Sequence, residues 1–284
     1  MPELPEVQTV ISDLNQKIIG KQIVDFWSLW ENGIKLPLDQ FKKNMVGARI
    51  ILNERIGKHI IVHLDNNYSI VMHLKMTGHL LLKESNDNNI YFNDRVNQYV
   101  RHIFYLLDTE SQTKFSLEFS DLRKFGWINL VETDAVRNLT SIQKLGTDAL
   151  VQDLNKFLIL CDRSNKSKIG IFLLDQAKIS GIGNIYRSEI LYEASIYPLR
   201  LVSDLNKEEK EVIFRAIKKV LNLAIELRGT SDSDYRDTAG MLGGFQKVLK
   251  VYRRENKPCL NCGLLIKRFK LAQRSVFYCE KCQN

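Results

Sequence analysis

Apolar residues recur every three or four positions from Pro5 to about 17, at Val7, Val10, Ile11 and Leu14. This spacing predicts an amphipathic helix that ends before Gly20. Pro5 stands in the first turn, where its missing N–H costs nothing, and Glu6 shares that turn. From about 22 to 131 the pattern changes to short runs rich in β-branched and aromatic residues. Among them, 58–65 and 68–75 flank Asn66-Asn67, and 99–108 and 114–120 follow. They predict a sheet-rich, sandwich-like first domain. After Val131 the helical period returns, most clearly over 207–228, where Val212, Ile213, Ala216, Ile217, Val220, Leu221 and Ala224 form one stripe that Gly229 ends. The stretches 83–94 and 229–244 read as loops, the second long enough to be a lid. The fold class expected is α+β: a β-sandwich with flanking helices over 1–133, a helical domain over 134–243 that carries the lid, and a small module over 244–284.

Composition sharpens that division. Of 41 Lys/Arg and 33 Asp/Glu, ten and two fall in 244–284, so the net charge of +8 resides there and the first 243 residues balance. Such a tail suits phosphates. No run approaches the ~18 uninterrupted apolar residues of a membrane span. The acidic start lacks the basic and apolar segments of a secretory signal, so a cytoplasmic location is expected, with no membrane partner.

Two features carry chemistry. Removal of Met1 would leave Pro2 as a secondary amine beside Glu3 and Glu6. An α-amino group titrates near pH 8 against about 10.4 for lysine, so it holds roughly a hundred-fold more of the free form that attacks carbonyl-like carbons. The plain alternative is that Pro2 permits trimming of Met1 and Pro5 starts a helix. At the other end, Cys259-x2-Cys262 and Cys279-x2-Cys282 have the spacing at which two tight turns gather four thiolates around one tetrahedral zinc. Disulfides are the alternative, which a reducing compartment disfavours. With no open coordination position, the zinc would be structural. Lys267, Arg268, Lys270 and Arg274 lie between the pairs, interleaved with Phe269, Phe277 and Tyr278, as on a hairpin that presents cations to a phosphate backbone. All five histidines fall in the β-rich half, and Cys161 reads as a core residue.

Residues 180–189, Ser-Gly-Ile-Gly-Asn-Ile-Tyr-Arg-Ser-Glu, form a tight glycine turn followed by a helix capped near Asn184. A third glycine and a preceding strand are both missing, which argues against a dinucleotide site, but helix-start N–H groups also bind a DNA phosphate. Together with PELPEV at the start, HLKMTG at 73–78, DLRKFG at 121–126 and the basic four-cysteine finger, this segment resembles the formamidopyrimidine-DNA glycosylases, bacterial base-excision repair enzymes for oxidised purines. The likeness runs in order from residue 2 to 282.

The resemblance implies a β-sandwich, a helix-two-turn-helix domain and a zinc finger acting on double-stranded DNA with oxidised bases or abasic sites, as a monomer associated with the nucleoid. It implies that Pro2 attacks the anomeric carbon, that Glu3 handles protons at the sugar, that Glu6 positions the N-terminus and that Lys58 contacts a phosphate near the lesion. The imine then permits β,δ-elimination. A base must be flipped to be reached, and Met76, Arg123 and Phe125 match the family's wedge. Lys124, Asn184, Tyr186 and Arg274 are the implied phosphate contacts, with Lys166, Asp234 and Tyr235 at the lesion. Three positions depart from the pattern: Gly170 where a lesion-side lysine is usual, Arg187 for a small residue, and Ile56 for an arginine. Competing readings are an endonuclease VIII-type enzyme for oxidised pyrimidines and a non-catalytic zinc-finger DNA binder.

Overall fold

The computed structural model describes residues 1–85 and 87–284. Its contacts divide the chain into two units, Met1–Gln143 with Leu227–Gln246, and Lys144–Glu226 with Lys247–Asn284. In the first unit, α1 (Leu4–Lys17) buries Val7, Val10, Ile11 and Leu14, the stripe read from the sequence. Its start is a reciprocal capping box, in which Glu6 accepts the Glu3 amide and the Glu3 carboxylate returns to the Glu6 amide.

Eight strands follow: β1 (Gln22–Ser28), β2 (Ile50–Ile56), β3 (His59–Leu64), β4 (Tyr68–His73), β5 (His79–Glu84), β6 (Val100–Leu107), β7 (Lys114–Ser120) and β8 (Trp127–Glu132). They pair antiparallel in two sheets, ordered β1-β6-β7-β5 and β2-β3-β4-β8. Phe26, Phe104, Leu117 and Phe119 from the first sheet meet Ile60, Val62, Ile70 and Met72 from the second in one core with the apolar face of α1. This is the expected sandwich. A short helix, α2 (Leu38–Met45), lies between β1 and β2 and buries Phe41 and Met45; the sequence reading placed only strands there. The outer face of the second sheet is covered by a 3-10 turn, Thr133–Asn138, and α3 (Thr140–Gln143), whose Val136 and Ile142 sit on Ile61 and Val71. The unit therefore runs ten residues beyond the expected boundary at 133. The 229–244 stretch, expected as a lid of the helical domain, is grouped with this first unit.

The second unit contains β9 (Thr147–Asp148), α4 (Leu154–Arg163), α5 (Ile169–Phe172), β10 (Ile179–Ser180), α6 (Asn184–Glu193) and α7 (Lys207–Glu226). Asp153 caps α4, and α7 buries Ile213, Ala216, Ile217, Val220, Leu221 and Ala224 along one stripe. Cys161 is a fully buried core residue. A two-residue strand does precede the glycine turn, β10, paired parallel with β9. The unit ends in a hairpin of β11 (Lys267–Leu271) and β12 (Arg274–Tyr278), turned through Ala272 and Gln273, both at positive φ.

Candidate active site and nucleic-acid interface

The N-terminus is built on α1. With Met1 in place Pro2 is buried and its nitrogen is an amide, so a free secondary amine there requires removal of Met1. Glu3 and Glu6 are 2% and 1% exposed. The Glu6 carboxylate accepts the Glu3 amide through Oε2 and the Thr230 amide through Oε1, each at 2.7 Å. It therefore ties the start of the chain to a segment more than two hundred residues away. Gly229, at φ +83°, makes the approach feasible, because a Cβ there would stand 2.8 Å from Glu6 Cγ and Oε1. The neighbouring Arg228 donates to both oxygens of Asp13 on α1, at 3.2 and 2.6 Å, and to Asp237 at 2.7 Å, while Thr238 donates to Asp13 at 2.7 Å. The stretch expected as a lid is thus a strap fastened to the helix that follows Pro2. Tyr235, expected at the lesion, instead lies in the sandwich core at 5% exposure, its hydroxyl 3.4 Å from the Glu6 carbonyl. Burial, then the nearby Glu6, raises its pKa. Asp234 is half-buried on the same strap.

Lys58 occupies the two-residue turn between β2 and β3 and is 9% exposed. Arg55 braces that turn, donating to the Gly57 carbonyl at 2.9 Å and to Gln8 of α1 at 2.9 Å. Ile56, one of the three departures, packs on the small outer cluster instead. Behind the turn, His59 and His73 meet edge to face at 4.8 Å beside Trp127. Burial depresses His59 to about 4, and burial with the nearby His59, Lys75 and Lys58 depresses His73 to about 2, so both are neutral. His73 Nδ1 accepts the Lys75 amide at 2.9 Å, which fixes the turn that lifts Met76 into solvent.

Two loops of the sandwich bring the three wedge residues together. Met76, at 41% exposure, follows β4, and Arg123 and Phe125 precede β8. Arg123 Nη1 lies 3.2 Å from Met76 Sδ, and its guanidinium stacks 4.6 Å over the Phe125 ring, itself half exposed. Fully buried Asp121 supports both loops, accepting the Thr77 hydroxyl, the Arg123 amide at 3.2 Å and the Gly126 amide at 2.8 Å. Neither Thr77 nor Asp121 was singled out from the sequence, although both belong to the quoted motifs. Lys124 is exposed in the same loop at positive φ. With Lys35, Lys75, Trp30 and Trp127 it lines a groove of about 510 Å³ that also takes in Met76 and Phe125.

In the second unit, Gln176 braces the glycine turn through the Gly181 amide at 3.0 Å and the Ile182 carbonyl at 2.7 Å. The helix cap is Gly183 and Asn184 is the first residue of α6. Asn184 is half-buried and donates to the Ser275 carbonyl of β12 at 3.0 Å. Tyr186, expected as a phosphate contact, is fully buried, because on α6 its side chain faces the unit's core. Glu189, on the same helix, accepts the amides of Lys250, Val251 and Tyr252 at 2.8 to 3.0 Å and so fastens the start of the basic tail. Lys166 is exposed after α4. At Gly170 a Cβ would meet the Pro198 carbonyl at 2.9 Å and Leu271 at 3.0 Å, so a lysine there would require the backbone to move.

The four cysteine sulfurs lie within 4.8 Å of one another, with Cys262 to Cys279 at 3.4 Å and Cys259 to Cys282 at 3.8 Å. Zinc–thiolate bonds of about 2.3 Å at tetrahedral angles separate sulfurs by about 3.8 Å, so the set fits one zinc with no open position. The Asn261 amide and the Tyr192 hydroxyl approach Cys259 Sγ at 3.5 and 3.2 Å, supplying outer hydrogen bonds to a thiolate. Lys267, Arg268, Lys270 and Arg274 are exposed on the hairpin, as expected.

Comparison with known proteins matches this layout. Residues 1–128 match the formamidopyrimidine-DNA glycosylase N-terminal domain, 145–236 the H2TH domain of the same enzymes, and 256–284 the zinc finger found in FPG and IleRS. The formamidopyrimidine-DNA glycosylase of Pelotomaculum thermopropionicum is 38% identical over all of this chain and 99% of its own length. Wild-type Lactococcus lactis Fpg in complex with N7-benzyl-Fapy-dG DNA superposes with a TM-score of 0.86 at 29% identity, covering 99% of each chain. The same protein with DNA containing an oxidised pyrimidine gives 0.85 at 28% identity and the same coverage. A buried Pro2 with its two glutamates, the cluster of Met76, Arg123 and Phe125 and the four-cysteine zinc site are thus found in a chain that belongs to the formamidopyrimidine-DNA glycosylase family.

Proposed function

We propose that this chain excises oxidised purines from duplex DNA, formamidopyrimidines foremost, and then cleaves the abasic strand. After loss of Met1, Pro2 attacks C1′ of the flipped nucleotide, and the bond to the base breaks as the base leaves with a proton. The C1′–O4′ bond of the aminal then breaks, with O4′ taking a proton delivered by Glu3, and the ring-opened iminium acidifies the adjacent C2′–H, so the 3′ and then the 5′ phosphate are eliminated. Glu3 handles protons at the sugar, while Glu6 holds the Glu3 backbone still. Lys58, braced by Arg55, faces a phosphate beside the lesion. Met76 and Phe125 fill the vacated stack, and Arg123 hydrogen-bonds the orphaned base. Arg274 and Asn184 take phosphates. The observation that carries this reading is the Glu6 carboxylate joining the Glu3 and Thr230 amides at the base of α1. The single zinc supplies a fold, not a reactive centre, since four thiolates fill its coordination.

Among the described residues no helix is long and apolar enough to cross a membrane, and action on duplex DNA at the nucleoid is part of the same proposal. A second reading, preference for oxidised pyrimidines, draws on the relative solved with such a lesion and on the absence of a lesion-side lysine at Gly170. Single-turnover excision measured side by side on duplexes with a formamidopyrimidine, 8-oxoguanine and thymine glycol decides between them. The formamidopyrimidine is expected to be released fastest; fastest release of thymine glycol would favour the second reading.

A further inference from the structure

Arg187 is fully buried in the second unit, on the first turns of α6. Its Nη2 donates to Asn184 Oδ1 at 2.6 Å and to the Ser275 carbonyl at 3.1 Å, and its Nη1 reaches the Gly170 carbonyl at 3.4 Å. The Asn184 amide nitrogen donates to the same Ser275 carbonyl at 3.0 Å. These contacts settle an orientation that is otherwise ambiguous for an asparagine. A guanidinium only donates and a carbonyl only accepts, so the Asn184 oxygen must face Arg187 and its NH₂ must face β12. One N–H is spent on Ser275, and the second belongs to a half-buried residue at a helix start beside exposed Arg274.

We propose that Arg187 is a positioning residue of the DNA interface: by holding the Asn184 oxygen inward, it makes the amide present a donor, never an oxygen, to a phosphate. The proposal rests on the reading that α6 and Arg274 meet a DNA backbone. An amide free to flip would turn its oxygen toward the phosphate part of the time, and two acceptors repel. The same guanidinium fixes the backbone of Ser275, and with it the strand position from which Arg274 projects.

The test is binding of the full zinc-loaded protein to a duplex with an uncleavable abasic-site analogue, followed by fluorescence anisotropy. Arg187→Met keeps side-chain bulk and removes the donors, and is expected to weaken binding about tenfold, as is Asn184→Ala. Because both act through one amide, the double variant should be no weaker than about twofold beyond either single one. Arg187→Lys, which keeps a buried cation within reach of Asn184 Oδ1, should recover most of the loss. Asn184→Asp keeps that bond, puts an oxygen where the outward N–H stood, and should bind about threefold or more worse than Asn184→Ala; it needs no change at the buried arginine, so it carries the test even if Arg187→Met does not fold. Wild-type affinity in Arg187→Met, multiplicative effects in the double variant, or Asn184→Asp binding as well as Asn184→Ala would each overturn the proposal. Failure of the wild type to bind the duplex would instead overturn the functional reading on which it rests.

Discussion

Two buried glutamates do the same structural work in the two units, and the contrast between their surroundings separates chemistry from grip. Glu6 in the first unit and Glu189 in the second are 1% and 3% exposed, and each holds a distant segment to its helix, Glu6 through the Thr230 amide beside that of Glu3 and Glu189 through three amides at 250–252. What Glu6 holds is the segment proposed to react: it fixes Glu3, next to Pro2, while Asp13, Arg228 and Asp237 clamp the strap from the other side. What Glu189 holds is the start of the basic tail, whose cations remain exposed and whose fold depends on a metal. The end proposed for catalysis is held by internal hydrogen bonds, whereas the end proposed to bind phosphates presents exposed cations.

Breaking each frame should therefore give different failures. The largest effect is expected from Cys279→Ser. Loss of a thiolate frees the zinc, the small hairpin core cannot hold alone, and affinity for lesion DNA should fall by about a hundredfold or more. Elemental analysis and binding titration check this together; full affinity without zinc would contradict it. Glu6→Gln comes next. One of its two amide partners then faces an NH₂ group in place of an oxygen, and base excision should slow by about a hundredfold while duplex affinity moves by less than about threefold. Single-turnover rates and anisotropy measured on the same preparation separate the two quantities, and equal losses in both would assign Glu6 to binding.

The smallest effect is on stability. His59 and His73 are neutral in the fold at about 4 and about 2, whereas the unfolded chain protonates them near 6.5. Their folded values are lowered, so the stability they permit is complete above pH of about 6.5 and is lost as pH falls toward about 4, at up to about 1.4 kcal/mol per pH unit for each. Melting temperature should drop between pH 7 and 5, and His59→Phe should flatten that slope. A slope unchanged by the variant would place the acid sensitivity elsewhere.

The sequence displayed whatever repeats locally and hid whatever depends on a remote partner. The stripe of α1 and that of α7 each bury one face, so their spacing was legible, and the cysteine pairs carry their geometry in their spacing. The wedge was legible only through its motifs; its support by Thr77 and Asp121 arises from loops 44 residues apart, which no local pattern encodes. Helix α2 was missed because only Phe41 and Met45 mark its buried face. The contacts of the 229–244 stretch were not legible, because its glycines and polar residues look like a loop while its partners, Glu6 and Asp13, lie at the other end of the chain. The burial of Tyr186 and Tyr235 was not legible, since an aromatic within a motif does not declare which way its helix or strap faces.

The central claim is that the N-terminal proline is the nucleophile, and borohydride reduction during the reaction tests it directly. Protein with Met1 removed should crosslink to lesion-bearing duplex, peptide mapping should place the adduct on Pro2, and Pro2→Gly should trap far less. An adduct on a lysine, or undiminished trapping by Pro2→Gly, would contradict the account.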